Sequence, residues 1–512
     1  MVDLAKTLSF LKKHITFRDA IIALALIALY LITRLINLDQ FPIFTDEGIY
    51  IRWAKVAQLD PNWRFISLTD GKQPLHTWGM MPFIKLIPDN LLLAGRLFSV
   101  LSGFVAMIGM MALAAYMFGR KYAAYVAALL YIATPMFLFY DRLALADSAV
   151  NAGAIWVLFG SLMLVKTLRL DAALLLGMIG GVALLAKSSS QMFLGLSLLA
   201  PIVTFNRQKL HRWLSSSATY TVLLGLSIVL AFVIYNVQRL SPFLQNVAEK
   251  NKTFVLTFSE FVQNPFALFL GNIHLIPWYV SAEVGYVLVA IAIAGFVMLA
   301  RHNPRLALYL GLWIILPYVA ITAFAKVLFP RYVLYLASFL TIAATYFFIS
   351  VKRQNICRLV ALGYVASVGY FSYTIMFAPA AIPLPPVDRG QYIESFNAGW
   401  GVKEIVQYAR DEVSTTGRPV KFLAEGNFGV IGDMLESSIN RNDAQIVVAG
   451  YWPLGLEQLL ENQKDLDTHT VLIVFSHKQS RSEISSDWPV KYIKTYTKPG
   501  LKDPYFLYEL TR

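Results

Sequence analysis

Residues 20–54 read AIIALALIALYLITRLINLDQFPIFTDEGIYIRWA. The first half is apolar over the length a helix needs to cross a bilayer, about 20 residues. It runs to Thr33 and Arg34 without a small-residue cleavage site, so it reads as a retained first membrane helix rather than a signal peptide. The second half sets two adjacent acids, Asp46 and Glu47, just beyond that helix. The rest of the chain repeats the apolar theme. At an ordinary composition its 512 residues would make roughly three or four soluble domains. Yet 57% are hydrophobic and 15% charged, against about 45–50% and about 25% in a typical soluble protein. Surface that apolar must sit in lipid. A single cysteine excludes a disulfide framework and a cysteine-rich zinc site, and the composition excludes disorder as the main state.

Apolar runs of spanning character recur near residues 19–37, 91–118, 122–140, 145–165, 171–186, 190–205, 216–236, 282–300, 305–325, 332–350 and 357–378, which predicts eleven transmembrane helices. With a cytoplasmic N-terminus, every inner segment is basic. The cations are Lys6, Lys12, Lys13 and Arg18, then Arg120 and Lys121, then Lys166 and Arg169, then Arg207, Lys209 and Arg212. Arg301 with Arg305, and Lys352 with Arg353 and Arg358, complete the series, against only Asp3, Asp19 and Asp171. This obeys the positive-inside rule and predicts a multi-pass protein of the plasma (inner) membrane. Residues 1–387 carry 30 Lys and Arg against 14 Asp and Glu, whereas residues 388–512 carry 14 against 17. The basic excess thus belongs to the membrane part and does not point to nucleic acid.

An odd number of spans puts the tail outside. Pro383, Pro385 and Pro386 mark the exit linker, dividing a membrane domain, 1–387, from an extracytoplasmic domain, 388–512. In the tail, GVKEIVQYARDEV, FGVIGDMLESSI and GLEQLLENQKDL read as helices, and PVKFLAEG, AQIVVAG and TVLIVFS as strands. The alternation predicts a small α/β domain. AEGNFG lacks the spacing of a nucleotide-binding loop.

Two long outer loops, about 38–90 and 237–281, are rich in Trp, Phe, Tyr and Pro. IYIRWAKVAQL and LHTWGMMPFIKLI within the first look like amphipathic helices at the interface. The informative residues are charges at the outer ends of helices, where each needs a partner. Thr45 or Asp46 can cap a helix starting near Gly48, but a cap does not need two carboxylates, whereas a base that takes a hydroxyl proton does need one. Lys72 in DGKQPLHTW suits either a snorkelling lysine or an anion ligand. In YDRLALADSAV, Asp147 opens the fourth span and can pair with Arg142 or a lysine. In AKVLFPRYVLYL, Lys326, Arg331 and Tyr332 stand on the one purely basic outer turn, with Arg331 placed to hold an anion such as phosphate. Lys187, before SSSQ, reads as an ordinary end-of-helix lysine, with membership of the cation group as the other reading. One face thus offers carboxylates and clustered cations bordered by lipid, which suits a phosphorylated lipid.

The ordered set of a DE pair after the first helix, a KQPL segment, AGRLFSVLSG opening the second helix, RLALADS after the third and a late PRYVLYL resembles the GT-C membrane glycosyltransferases. Within them it is similar to the branch of the protein O-mannosyltransferases and lipid A aminoarabinose transferases. The resemblance covers about residues 18–350. It implies a GT-C-like fold and an inverting enzyme that moves a sugar from a polyprenyl-phosphate carrier to an acceptor hydroxyl of a lipid, glycan or protein on the outer membrane face. Carried over, Asp46 is the catalytic base and Glu47 its supporting acid. Lys72 and Arg331 contact carrier phosphate, with Lys326 and Tyr332 beside them. Asp147, Arg142, His76 and Arg96 support the site, Arg96 structurally. The family's KPP-like segment here reads KQP, and His76 stands where an aromatic is common.

No metal is required by this scheme, although His76, His274, Asp46 and Glu47 together would offer a divalent ion a set of ligands. Two other readings compete. An oligosaccharide ligase or polymerase using a polyprenyl-diphosphate carrier needs further outer arginines, for which Arg142 and Arg239 are the spare candidates. A non-enzymatic transporter predicts charges at mid-membrane and inverted repeats, and no repeat is evident.

Overall fold

A computed structural model describes residues 16–426, 431–476, 484–485 and 487–512. Asp3, Lys6, Lys12 and Lys13, and Asn427–Gly429 of the AEGNFG stretch, lie outside the described residues.

Helix α1 (Phe17–Leu35) opens on a capping box: Thr16 Oγ1 accepts from the Asp19 N–H at 3.2 Å, and Asp19 accepts from the Thr16 N–H at 2.8 Å. Several short elements follow before the next long helix. They are α2 (Thr45–Leu59), α3 (Leu75–Leu86) and the turns between them, and they form the first outer loop. Then come α4 (Leu91–Phe118), α5 (Lys121–Ala133), α6 (Pro135–Tyr140), α7 (Asp147–Thr167), α8 (Leu170–Ala186), α9 (Gln191–Ser197) and α10 (Leu210–Tyr235). The second outer loop carries α11 (Gln245–Phe254) and α12 (Phe258–Gln263). The membrane part closes with α13 (Leu275–Val284), α14 (Tyr286–His302), α15 (Pro304–Phe324), α16 (Leu334–Ser350) and α17 (Gln354–Phe377).

Among the described residues, six helices are long and apolar enough to cross a membrane, and seven when the bent pair around Gly285 counts as one. The protein is therefore helical and of membrane type. Five of the eleven expected spans are not among the six: α1, which carries Arg18, Asp19 and Arg34, α8, which is only 17 residues long, and three whose runs are broken or bent. The run 122–140 is broken at Thr134, because Pro135 lacks an N–H and forces the residue before it out of helical geometry. Arg34 fills the break, donating to the carbonyls of Ile132 at 2.9 Å and Tyr131 at 3.3 Å. The run 190–205 is only α9 followed by a 3-10 turn, Ala200–Thr204, around Pro201. The run 282–300 begins instead at Tyr286. Gly285 adopts a φ of +87°, and the chain bends there by 107°.

The ends of the helices sort by side. Asp19 accepts from Tyr125 at 2.6 Å and pairs with Lys121 at 3.3 Å, while Arg120 donates to the Ile349 carbonyl at 2.7 Å. The start of α1, the α4–α5 turn and the end of α16 thus share one side.

The tail forms a five-stranded sheet of order β2-β1-β3-β5-β4, built from β1 (Val420–Glu425), β2 (Ile446–Tyr451), β3 (Thr470–Phe475), β4 (Val490–Tyr496) and β5 (Tyr505–Leu510). β1 runs parallel to β2 and β3, and β5 is antiparallel to β3 and β4. The inner strands are apolar on both faces, as strands covered on both sides must be. Phe422, Ala424, Leu472 and Val474 face one core, whereas Leu423, Val471 and Ile473 face a second with Leu459 of α20 (Leu456–Asn462). The first core also holds α18 (Val402–Thr416) and α19 (Ile431–Ser438), and it continues into Ile43, Ile51, Ala54 and Ile84 of the outer loop. The sheet is therefore packed onto the helix that carries Asp46.

Candidate active site

Helix α2 begins at Thr45, earlier than expected, and neither Thr45 nor Asp46 caps it. The Phe44 N–H is taken by Glu47 Oε2 at 3.0 Å. Glu47 is fully buried and fully used. Arg96 of α4 grips it with two bonds of 2.8 Å, and its Oε1 accepts the Ala144 N–H at 2.7 Å. Arg96 spends its remaining donors on the carbonyls of Leu38, Phe41 and Pro42. A bidentate pair with every lone pair satisfied is the arrangement that makes a buried charge tolerable. It joins α2, α4 and the 142–146 turn and leaves Asp46 unconstrained by the backbone.

Asp46 points the other way, its side chain 27% exposed. Arg331 Nη2 donates to Asp46 Oδ2 at 2.9 Å, and Lys72 Nζ lies 3.9 Å from Oδ1. Arg331 sits in a 3-10 turn, Pro330–Val333, that feeds α16, and its guanidinium is flanked by the rings of Phe44, Phe329 and Tyr332 at 5.1–5.4 Å. Lys72 lies over Tyr50 and Trp53 of α2 at 5.1 and 5.7 Å and is shared with Asp70 at 3.7 Å. Asp70 in turn holds Lys250 at 2.6 Å.

Asp147, the first residue of α7, pairs with Lys187 at 3.1 Å and not with Arg142. Lys187 Nζ also stands 4.0 Å over the Tyr332 ring. The reading of Lys187 as an ordinary end-of-helix lysine is corrected: it belongs to the cluster. Gln73 shows what the KQP variant does, because its Nε2 donates to Ser188 Oγ at 2.8 Å and ties the Lys72 segment to the turn bearing Lys187.

The charges act on one another. Burial pushes the Asp46 carboxyl up, but Lys72, Arg331, Lys187 and Lys250 together hold it below the usual carboxylate value. Burial pulls Lys72 down, yet Asp46, Tyr50 and Asp70 outweigh it, so the ammonium stays charged. The cluster is a carboxylate ringed by cations, with aromatic rings packed beside them.

Two residues expected at the site are engaged elsewhere. Lys326 pairs with Glu260 at 2.8 Å and donates to the Lys252 carbonyl at 3.0 Å, because the second outer loop folds back across it. Arg142 is buried and donates to the carbonyls of Thr33, Arg34 and Asn37, the open end of α1. His76 packs edge-on against Tyr50 and at a tilt to Phe98, and burial drives its pKa down to about 4, leaving it neutral. His274 is exposed, and Glu47 is occupied by Arg96. Among the described residues no three His, Cys, Asp or Glu gather as a metal site.

Tyr392, from the linker into the tail, enters the cluster unannounced by the sequence. Its hydroxyl accepts from Arg331 Nη1 at 3.2 Å.

Residues 71–235 match the family model described as dolichyl-phosphate-mannose-protein mannosyltransferase. Among solved structures, the chain is similar to ArnT from Cupriavidus metallidurans in the apo state, at a TM-score of 0.60 and 15% identity over 96% of this chain and 97% of that one. The same protein bound to undecaprenyl phosphate matches at 0.60 and 16% over the same shares. The archaeal oligosaccharyltransferase AglB from Archaeoglobus fulgidus, in complex with an inhibitory peptide and a dolichol-phosphate, matches at 0.50 and 11% over 91% of this chain and 69% of that one. No curated protein matches by sequence. The likeness to GT-C polyprenyl-phosphate glycosyltransferases of the protein-mannosyltransferase and ArnT branch is thus found twice, by a family model over α3 to α10 and by fold over nearly the whole chain.

Proposed function

We propose that this protein is a membrane glycosyltransferase that moves a sugar, with inversion, from a polyprenyl-phosphate carrier to an acceptor hydroxyl of a lipid, glycan or protein on the outer membrane face. The observation that carries the reading is Asp46 held between Lys72 and Arg331. The acceptor O–H gives its proton to Asp46, and its oxygen forms the new bond to the anomeric carbon. The bond from that carbon to the phosphate oxygen breaks, and the electron pair leaves on the carrier phosphate. That group gains negative charge, which Lys72, Arg331 and Lys187 stabilise where water is scarce. Glu47 and Arg96 keep the base-bearing helix in place.

The membrane frame inferred with this reading is multi-pass, with a cytoplasmic N-terminus and an extracytoplasmic tail. The basic ends near Lys121 and Arg120 lie on one side, as positive-inside insertion requires. The ligand in the ArnT complex, undecaprenyl phosphate, and that in the AglB complex, a dolichol-phosphate, are of the proposed carrier class. A diphosphate carrier is less favoured, because Arg142 spends its guanidinium on backbone carbonyls. No step calls for a metal, a cofactor or nucleic acid.

The test is incubation of membranes holding the protein with radiolabelled polyprenyl-phosphate sugars, followed by tracing the label. Transfer to a lipid, glycan or protein that depends on the protein supports the reading. Label that stays on every carrier offered sinks it.

A further inference from the structure

We propose that Tyr392 is a positioning residue for the Asp46–Arg331 pair, so that the linker into the tail is part of the active site. This rests on the transfer reading above and deepens it. Arg331 touches Tyr392 with Nη1 at 3.2 Å and Asp46 with Nη2 at 2.9 Å. A planar guanidinium held at two corners keeps one orientation, whereas held at one it can swing. Tyr392 is itself locked. Its ring lies 4.6 Å from Phe44 and 5.1 Å from Phe139, and its carbonyl accepts from Trp400 Nε1 at 3.2 Å. One turn earlier, Asp388 accepts from the buried Tyr140 hydroxyl.

The same segment then braces the other partner. The Thr45 N–H donates to the Asn397 carbonyl at 3.1 Å, and the Gly399 N–H donates to the Ile43 carbonyl at 2.8 Å. Phe44 and Ala398 form a β-bridge. Residues 392–399 therefore hold Arg331 by a hydroxyl and the approach to Asp46 by backbone bonds, which sets the distance between the two. Other charges converge on the pair as well. Lys72, Lys187 and Lys250 favour ionised Asp46, while Asp147, Asp388 and Tyr332 act on Arg331. None of these cations also grips the linker, so the Tyr392 hydroxyl has its own readable effect.

The experiment compares Tyr392→Phe with Tyr451→Phe in the membrane transfer assay, measuring kcat, donor KM and the pH profile. Phe keeps the ring packing and removes only the oxygen. Tyr451 is a control from the same tail, its hydroxyl accepting from Asn462 Nδ2 at 3.1 Å, away from the linker. The expected result for Tyr392→Phe is a kcat lower by about 10-fold or more, since small misplacements of catalytic groups cost that much. Donor KM should change by less than about 3-fold, because Lys72 and Lys187 still hold phosphate. The acid limb should move to higher pH, as a loosened Arg331 favours ionised Asp46 less. Tyr451→Phe should leave the limb in place. Wild-type kcat and limb in Tyr392→Phe overturn the inference, as do equal losses in both variants with the limb unmoved. A wild-type protein that transfers no sugar from any polyprenyl phosphate overturns the transfer reading instead, and the inference with it.

Discussion

Arg331 and Asp46 stand 285 positions apart in the chain and are joined by a 2.9 Å charge-assisted hydrogen bond. The pair brings the first outer loop to the turn before α16. A carboxylate so placed is kept ionised, and the same cation is the one proposed to hold the carrier phosphate. In the proposed transfer, base and anion site are thereby coupled.

Asp46→Asn should lower transfer by about 10²- to 10⁴-fold, the range for losing a general base. Binding of free polyprenyl phosphate, read by competition, should persist. Full activity in this variant would remove Asp46 from the base role.

Because cations hold the Asp46 carboxyl below its ordinary value of 3.8, the base stays charged as pH falls from neutral through 4. The acid limb of kcat/KM is expected below that point. Lys72→Met removes the strongest of those cations and should shift the limb upward. A pH profile identical to wild type would mean that Asp46 does not set the limb.

Lys187→Ala should weaken competition by free polyprenyl phosphate by about 10-fold or more, the worth of a charge-assisted contact. Lys326→Ala, whose lysine is occupied by Glu260, should bind the lipid as the unaltered protein does. Reversal of that order would return Lys326 to the site and expel Lys187.

Glu47→Gln leaves Arg96 buried without its counter-charge, a change that costs about 3–5 kcal/mol in comparable pairs. Thermal unfolding in detergent should show a clearly lower midpoint. An unchanged midpoint would show that the pair is not a structural staple.

Gly48→Ala tests the contact between α2 and α19. An added Cβ would meet Met434 N at 3.0 Å and the Asp433 carbonyl carbon at 3.1 Å, both rigid backbone. Overpacking of this kind costs about 1–3 kcal/mol. Protease nicking of the tail at elevated temperature should come sooner in this variant, and equal nicking rates would argue that the interface yields freely.

The spans that were legible are those whose hydropathy is continuous, such as α4, where run and helix coincide at 91–118. Hydropathy did not locate the breaks. Thr134–Pro135 stays folded because Arg34, a hundred residues earlier, caps the broken carbonyls. In the tail, the apolar strands β1 and β3 were readable. β4 and β5 were not, since VKYIKTY is an edge strand whose alternation a bulge between Tyr492 and Lys494 breaks, and YFLYEL carries an acid. At the site, Asp46, Lys72 and Arg331 were found because a charge beside an apolar run stands out. Tyr392 is one aromatic among many. Lys326 misled because its partner, Glu260, sits 66 residues earlier, on α12 of the second outer loop.

By itself, then, the sequence determined that this chain is a helical membrane protein with a mixed helix–strand tail and a set of charges beside its apolar runs. Those are properties of single residues and short runs, summed over windows no longer than a helix. Tertiary structure decided which charges meet. It split the adjacent acids, burying Glu47 against Arg96 and giving Asp46 to Arg331 and Lys72. It moved Lys187 in, sent Lys326 and Arg142 to other partners, and brought Tyr392 up from the tail. A charge pair forms where two segments cross, and a crossing such as that of Asp46 with Arg331, 285 residues apart, is set by the packing of the whole core.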